Sequence, residues 1–162
     1  MGEHRVSARR TSEEADALDV FIQLTRAAER VMAELQPALG AERLTAGQLG
    51  VLEAIASDGP LSLRELGGRL FRSAPNMTIV VDNLESDGLV RRVRSDTDRR
   101  VVLVESTVEG RRRFRRAYPP YQRVIATFMA TLAPSERTRL VRLCRKLREQ
   151  PSERPPHAGT RV

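Results

Sequence analysis

Two clusters of side chains stand out for what they could bond. Ser73, Pro75, Asn76, Thr78, Ile79 and Asn83 crowd into one short stretch, and Arg91, Arg92, Arg94, Arg99 and Arg100 surround the polar run Ser95-Asp96-Thr97-Asp98. An asparagine amide can make a bidentate bond to adenine, and a threonine can meet an acceptor or a thymine methyl. Guanidinium groups bond phosphate oxygens, and clustered arginines displace counterions from a polyanion. A polar helix face alone is most often merely solvated. Beside a basic cluster, in the right order of elements, it points to duplex nucleic acid.

Other chemistry finds little support. There is no Gly-rich phosphate loop and no nucleophile elbow. The two histidines, His4 and His157, lie near the chain ends, and no Cys/His pair has zinc spacing. Acid–base catalysis would rest on scattered carboxylates that have ordinary capping explanations. No enzyme activity, cofactor or metal is therefore expected. The single cysteine, Cys144, excludes an intramolecular disulfide; it lies among leucines and is expected to be a buried, inert thiol. The net charge of +7 favours an anionic partner. Nearly all of that charge is arginine, as genomic base composition alone could produce, so it counts only because it coincides with the motif.

The elements that must position these residues run from Ser62 to Thr107. Ser62 and Glu65 have capping-box spacing, and Leu63, Leu66 and Leu70 then share a helical face. Phe71 and Arg72 make a turn. Ser73 suits the next N-cap and Pro75 the first turn of the helix that follows. Met77, Val81 and Leu84, with Val80 beside them, give that helix one buried stripe, and Asp87-Gly88 ends it. Leu89 to Arg94 and Arg100 to Glu105 read as strands about the turn Ser95 to Asp98. Helix, turn, helix and hairpin make a winged helix-turn-helix. The fold class is mostly α with a small β-hairpin wing (α+β), carrying long helices at both chain ends.

In chain order, residues 1–11 read as a mobile basic arm with Arg5, Arg9 and Arg10. Residues 12–40 form a helix capped by Ser12, with Leu18, Phe21 or Ile22, Thr25, Ala28, Met32 and Leu35 in period, closed by Pro37 and Gly40. Residues 41–107 are the winged domain. It begins with a Thr45/Gln48 capping box and a stripe of Leu49, Leu52, Ile55 and Ala56, then turns at Ser57-Asp58-Gly59-Pro60. Leu61 is positioned to pair with the hairpin as a third strand. Residues 108–150 are helical again, with the basic run Arg111 to Ala117 around a buried Phe114. A bend or restart is expected at Tyr118-Pro119-Pro120-Tyr121. The last helix starts at Ala133-Pro134-Ser135-Glu136 and aligns Leu140, Leu143, Cys144 and Leu147. Residues 151–162 read as a disordered tail. The terminal helices have apolar stripes and no sheet to cover, so burial against a second copy is expected. No apolar run reaches the length of a membrane span, and the N-terminus lacks a secretory signal. A cytoplasmic, nucleoid-associated protein is the expectation.

The chain resembles the MarR family of dimeric winged helix-turn-helix transcription regulators. Asn76, Thr78, Val81, Asp82, Leu84, Glu85, Gly88, Leu89, Val90 and Arg92 carry the resemblance, followed by Asp98-Arg99-Arg100, Leu103, Thr107 and Gly110. It extends over about residues 14–149. The chain departs from the family pattern at Ile79 and Asn83, where a basic residue is common, and at Ser106, where leucine is. The resemblance implies a homodimer, most often a repressor, on a pseudo-palindromic operator in double-stranded DNA. The DNA-contacting set is then Ser62, Arg72, Ser73, Pro75, Asn76, Thr78, Ile79, Asn83, Arg94, Asp98, Arg99 and Arg100. It also implies a small anionic or phenolic effector between the dimerisation helices and the winged lobe, with Arg26, Arg30, Met32, Arg112 and Tyr118 as candidate lining. The alternatives are a redox-responsive regulator and a protein-interaction module without an effector pocket.

Overall fold

Two of the helix starts are set by side chains that bond nearby backbone. The structure is a computed structural model and describes residues 12–70 and 73–149. Its elements are α1 (Ser12–Gly40), α2 (Ala46–Asp58), β1 (Leu61–Ser62), α3 (Leu63–Leu70), α4 (Ala74–Ser86), β2 (Val90–Arg94), β3 (Val102–Ser106), α5 (Val108–Met129) and α6 (Pro134–Arg148). Ahead of α2, Thr45 N–H donates to Gln48 Oε1 at 2.8 Å and Gln48 N–H to Thr45 Oγ1 at 3.2 Å. Ahead of α3, Ser62 N–H donates to Glu65 Oε2 at 2.8 Å and Glu65 N–H to Ser62 Oγ at 3.3 Å. Both capping boxes form as the spacing predicts.

The core is built around α2. Leu49, Val51, Leu52, Ala54 and Ile55 are all buried there, while Ala56, expected in the stripe, is exposed. A helix in the middle of a domain buries most of its circumference, so an amphipathic stripe underestimates it. Leu66 of α3, Met77, Val81 and Leu84 of α4, and Leu89, Val90 and Val104 of the sheet complete the core. Leu35 and Leu39 join it from the end of α1, and Ala117 from α5. Farther back along α1 the predicted stripe has no cover: Leu18, Phe21 and Met32 are exposed. Pro37 does not close α1. It lies inside the helix, which runs to Gly40.

The sheet is antiparallel in the order β1-β3-β2. Leu61 pairs with Val104, as the third-strand expectation requires, and Val90 through Arg94 pair with Ser106 through Val102. The loop at the hairpin tip is longer than the four-residue turn expected, because Arg100 falls in it. Local side chains take up the backbone donors there. Asp98 Oδ1 accepts from Arg100 N–H at 3.0 Å, and Ser95 Oγ accepts from Thr97 N–H at 3.3 Å. Such bonds compete with ladder pairing.

α5 runs unbroken through Pro119 and Pro120; the expected restart does not occur. Proline's fixed φ is helical, so the loss is confined to the missing N–H bonds and ring crowding. Aromatic rings flank the pair: Tyr118 lies 4.7 Å from Phe114 and 6.5 Å from Tyr121 between ring centroids. Burial raises the Tyr121 hydroxyl above its ordinary pKa. Arg116 makes a bidentate pair with Glu42, at 2.8 Å for both bonds. That hydrogen bonding holds the Glu42 carboxyl below its usual range. The pair therefore adds stability above the ordinary carboxyl pKa, and the contribution is lost as pH falls through the lowered value.

The chain divides into two compact units, one ending at Ile125 and one beginning at Ala126. In the second, Glu136 accepts from Ala133 N–H at 2.7 Å and starts α6. α6 buries none of its residues: Leu140, Leu143 and Leu147 are exposed, and so is Cys144. The expected buried thiol is thus corrected, since nothing in the described chain covers that stripe. Residues 1–11, Phe71, Arg72 and 150–162, with the arm, turn and tail expected there, lie outside the described residues. Among the described residues no helix is long and apolar enough to cross a membrane.

The tightest joint is where α5 leaves the sheet. Thr107 Oγ1 donates to Gly88 O at 2.7 Å and accepts from Gly110 N–H at 3.0 Å. Gly88 has φ +67°, a left-handed turn that suits glycine. A Cβ at Gly110 would lie 1.9 Å from Leu89 O, a backbone atom that cannot swing aside. Gly110→Ala should therefore lower thermal stability by about 3 kcal/mol, as overpacking does. Gly68→Ala on α3, where a Cβ meets nothing within 4 Å, should be neutral or mildly stabilising. Equal melting temperatures for the two variants would contradict this account.

Candidate nucleic-acid interface

The core stripe of α4 fixes what its other side shows. With Met77, Val81 and Leu84 fully buried, Pro75, Asn76, Ile79 and Asn83 point outward. Ile79 is 59% exposed, so it does not tuck into the core. Thr78 is half-buried at the edge of this face. Ser73 occupies the N-cap with extended backbone but makes no side-chain cap bond, contrary to its expected capping role. Methionine and the β-branched residues behind it hold α4 by packing.

The wing carries the second cluster. Arg94, Asp98, Arg99 and Arg100 are all exposed at its tip. Asp98 orients Arg100, with Oδ1 3.5 Å from its Nε and 3.0 Å from its backbone nitrogen. The other two arginines of the cluster are engaged at the base. Arg91 Nε donates to Glu105 Oε1 at 2.5 Å, across the β2–β3 ladder. Arg92 reaches back to α4, where its Nη2 donates to Asp82 Oδ1 at 2.5 Å and its Nη1 to Glu85. Glu85 also accepts the Arg92 backbone N–H at 2.9 Å. Bonding to Asp82, with Glu85, raises the Arg92 pKa still further. Arg92 is thus a clamp between the hairpin and α4. Two carboxylates three residues apart on α4, followed by a strand arginine, were the signal for it.

The Ser62 hydroxyl donates to Glu65 at 2.7 Å within its capping box. Arg72 lies outside the described residues. The five candidate effector residues are spread over two helices, three on α1 and two on α5. Arg30 bonds Glu34 at 2.6 Å along α1, and Arg112 bonds Glu109 at 2.7 Å along α5. Arg26 and Met32 are exposed on α1, and Tyr118 is half-buried against its aromatic neighbours. A groove of about 950 Å³ opens elsewhere, between the end of α2, the base of the wing and the first turns of α5. None of the five lines it. Among the described residues no group of His, Cys, Asp and Glu could hold a metal ion.

An outward helix face bearing two asparagines, set beside an arginine-tipped hairpin on a helix-turn-helix, defines a winged helix-turn-helix DNA-binding domain. The chain belongs to the MarR family, whose family model matches residues 44–102. It is 33% identical over 114 residues to a transcriptional regulatory protein assigned to the hcr operon of Thauera aromatica, covering 70% of this chain and 69% of that one. It is 32% identical over 99 residues to the HTH-type transcriptional regulator YkoM of Bacillus subtilis, covering 61% of this chain and 64% of YkoM. Among solved structures it resembles BpsR of Bordetella bronchiseptica, whose DNA binding is regulated by 6-hydroxynicotinic acid. The TM-score is 0.73 and the identity 29%, over 80% of this chain and 93% of BpsR.

The two kinds of wing arginine should separate by experiment. Arg99→Ala and Arg100→Ala should weaken binding to every duplex. Each should lower the salt slope by about one unit for every phosphate left without its cation, with the melting temperature unchanged. Arg92→Ala should lower the melting temperature instead. Unchanged affinity and slope in both tip variants would remove the wing from the interface.

Proposed function

We infer that this protein is a homodimeric transcriptional repressor that reads a pseudo-palindromic operator and is released by a small effector. The observation that carries the reading is the outward face of α4, with Asn76, Ile79 and Asn83, standing beside the exposed tip arginines Arg94, Arg99 and Arg100. α4 enters the major groove with its N-terminal residues Ser73, Pro75, Asn76 and Thr78 at the base edges, while the wing follows the backbone. The dimer is supported by apolar residues that α1 and α6 each leave exposed, among them Phe21 and Leu24, and Leu143 and Leu147. A two-fold axis puts two recognition helices about 34 Å apart, one turn of DNA. The effector is supported by BpsR, a relative whose DNA binding responds to a small aromatic acid. Such an effector must bind the DNA-incompetent state better. The protein acts in the cytoplasm, at the nucleoid.

A genome-wide pull-down of DNA fragments with the purified protein tests the reading directly. A shared palindrome among recovered fragments is expected, along with a dimer in sedimentation at micromolar concentration. Recovery of unrelated sequences, or a stable folded monomer, would defeat it. Transcription from the recovered promoter should rise when the gene is deleted.

Ile79 provides a finer test. With no hydrogen-bonding group, it can read a base only by packing on a thymine methyl. Against a set of single-base operator variants, Ile79→Ala should lose discrimination at one A·T position by about 1 kcal/mol. Ile79→Arg should shift preference toward guanine or bind all variants more tightly. A uniform loss across the set for Ile79→Ala would take this residue out of base reading.

A further inference from the structure

The positive charge of the chain is concentrated on one helix. α6 carries Arg137, Arg139, Arg142, Arg145, Lys146 and Arg148 against the single carboxylate of Glu136, a net of +5 on 15 residues where the whole chain of 162 has +7. All six cations are exposed. Arg69, Arg92, Arg112 and Arg116 each meet a carboxylate in the first unit. On α6, Arg137, Arg139, Arg142, Arg145 and Lys146 make no ion pair with any described residue. Base composition supplies arginine without regard to place, so it does not account for this concentration. The helix dipole accounts for the last turn alone, where Arg145, Lys146 and Arg148 suit its negative end. Arg137 stands toward the positive end, and Arg139 and Arg142 in the middle, where the dipole favours no cation. Spaced three or four residues apart, Arg139, Arg142, Arg145 and Lys146 repel one another along the helix. They also leave a separate stripe free. At about 100° per residue, Leu140, Leu143, Cys144 and Leu147 fall on one side and the cations on the rest of the circumference. Arg137, Arg142, Arg145 and Lys146 border a single hollow, with only Glu149 opposing them.

We propose that the cationic side of α6 is a second DNA-binding surface, which holds the phosphate backbone of a duplex without reading bases. It goes beyond the function inferred above, in which only α4 and the wing meet DNA, and rests on that function only for the choice of polyanion. Exposed guanidinium groups bond phosphate oxygens and displace counterions, and a polyanion relieves the repulsion among them. From Arg137 to Arg148 the helix rises roughly 16 Å, enough to follow about five phosphates of one strand. α6 has no Asn or Gln, the amides that pair with adenine, so its chemistry is that of backbone contact. An anionic lipid surface fits less well. It needs the leucine stripe as well, which the dimer covers, and α6 brings no aromatic side chain to a bilayer interface. The surface supplies affinity for DNA of any sequence, which holds the protein on the duplex outside its operator.

Lys146 is the only lysine in the chain and serves as the reporter. The full-length protein is treated with an amine-acylating reagent alone, with a long duplex of unrelated sequence, with a long duplex recovered in the genomic pull-down, and with phosphatidylglycerol vesicles. Mass spectrometry follows the modification of Lys146. Both duplexes should slow it at least fivefold at low salt, and added salt should restore it. In parallel, the variant combining Arg137→Gln, Arg142→Gln, Arg145→Gln and Lys146→Gln should bind the unrelated duplex at least tenfold more weakly. Its salt slope should fall by roughly two units or more, with discrimination among single-base operator variants unchanged. Replacing the same three arginines by lysine should keep the slope, since backbone contact needs charge rather than the guanidinium fork. Unchanged acylation of Lys146 under saturating duplex overturns the surface, as does a glutamine variant with wild-type affinity and slope. Protection of Lys146 by vesicles and not by duplex also overturns it, in favour of a lipid partner. If Lys146 is protected while no operator is selected, it is the regulator reading that fails and this surface stands. Operator selection with Lys146 unprotected is the reverse.

Discussion

The DNA-facing lobe depends on how closely the first turn of α5 sits on the turn between α4 and β2. Gly88 turns the chain through left-handed backbone so that Leu89 N–H returns to Leu84 O at 2.8 Å. Thr107 N–H then donates to Leu89 O at 3.0 Å while its hydroxyl bridges Gly88 and Gly110. Four chain segments meet at this point: the end of α4, the start of β2, the end of β3 and the start of α5. Only a residue without a Cβ lets the helix come so near. The hairpin is held at its root, and the polar bonding of its loop is local to the tip.

Charge near α4 has to be arranged, because the helix proposed to enter the groove carries carboxylates of its own. Asp82 and Glu85 are such carboxylates, and Arg92 bonds both. The same arginine fastens strand to helix. One side chain thus offsets local negative charge and fixes the angle between wing and α4. The positive charge left outermost is at the tip, where Arg100 is 93% exposed on its side chain.

Local signals were legible in the sequence, and relational ones were not. Capping boxes at Thr45 and Ser62, and the stripe of Met77, Val81 and Leu84, depend on spacing within one turn or two, and they form as read. The outward face of α4 followed, since a buried stripe leaves only its complement. Ala56 is exposed and Cys144 is uncovered in the single chain because burial depends on which partner arrives, and no periodicity carries that information. α5 passes unbroken through Pro119-Pro120, a continuity that proline's helical φ allows and that a break signal alone does not reveal. Counting arginines around the tip could not tell that Arg91 and Arg92 face carboxylates at the base. The groove was illegible for the same reason: its walls come from three separate stretches of chain.

Fastening the wing at its root has a consequence for inheritance. The bonds of Arg92 and Thr107 do not involve Arg99, Arg100, Ile79 or Asn83. The residues proposed to meet DNA are therefore not the residues that keep the lobe folded. Substitutions at the tip or on the outer face of α4 carry little folding penalty, so they can accumulate without passing through a collapsed intermediate. After gene duplication, two copies sharing this framework could drift toward different operators while each remained a working protein. The departures at Ile79 and Asn83, on an otherwise regular scaffold, are the kind of change such a separation permits.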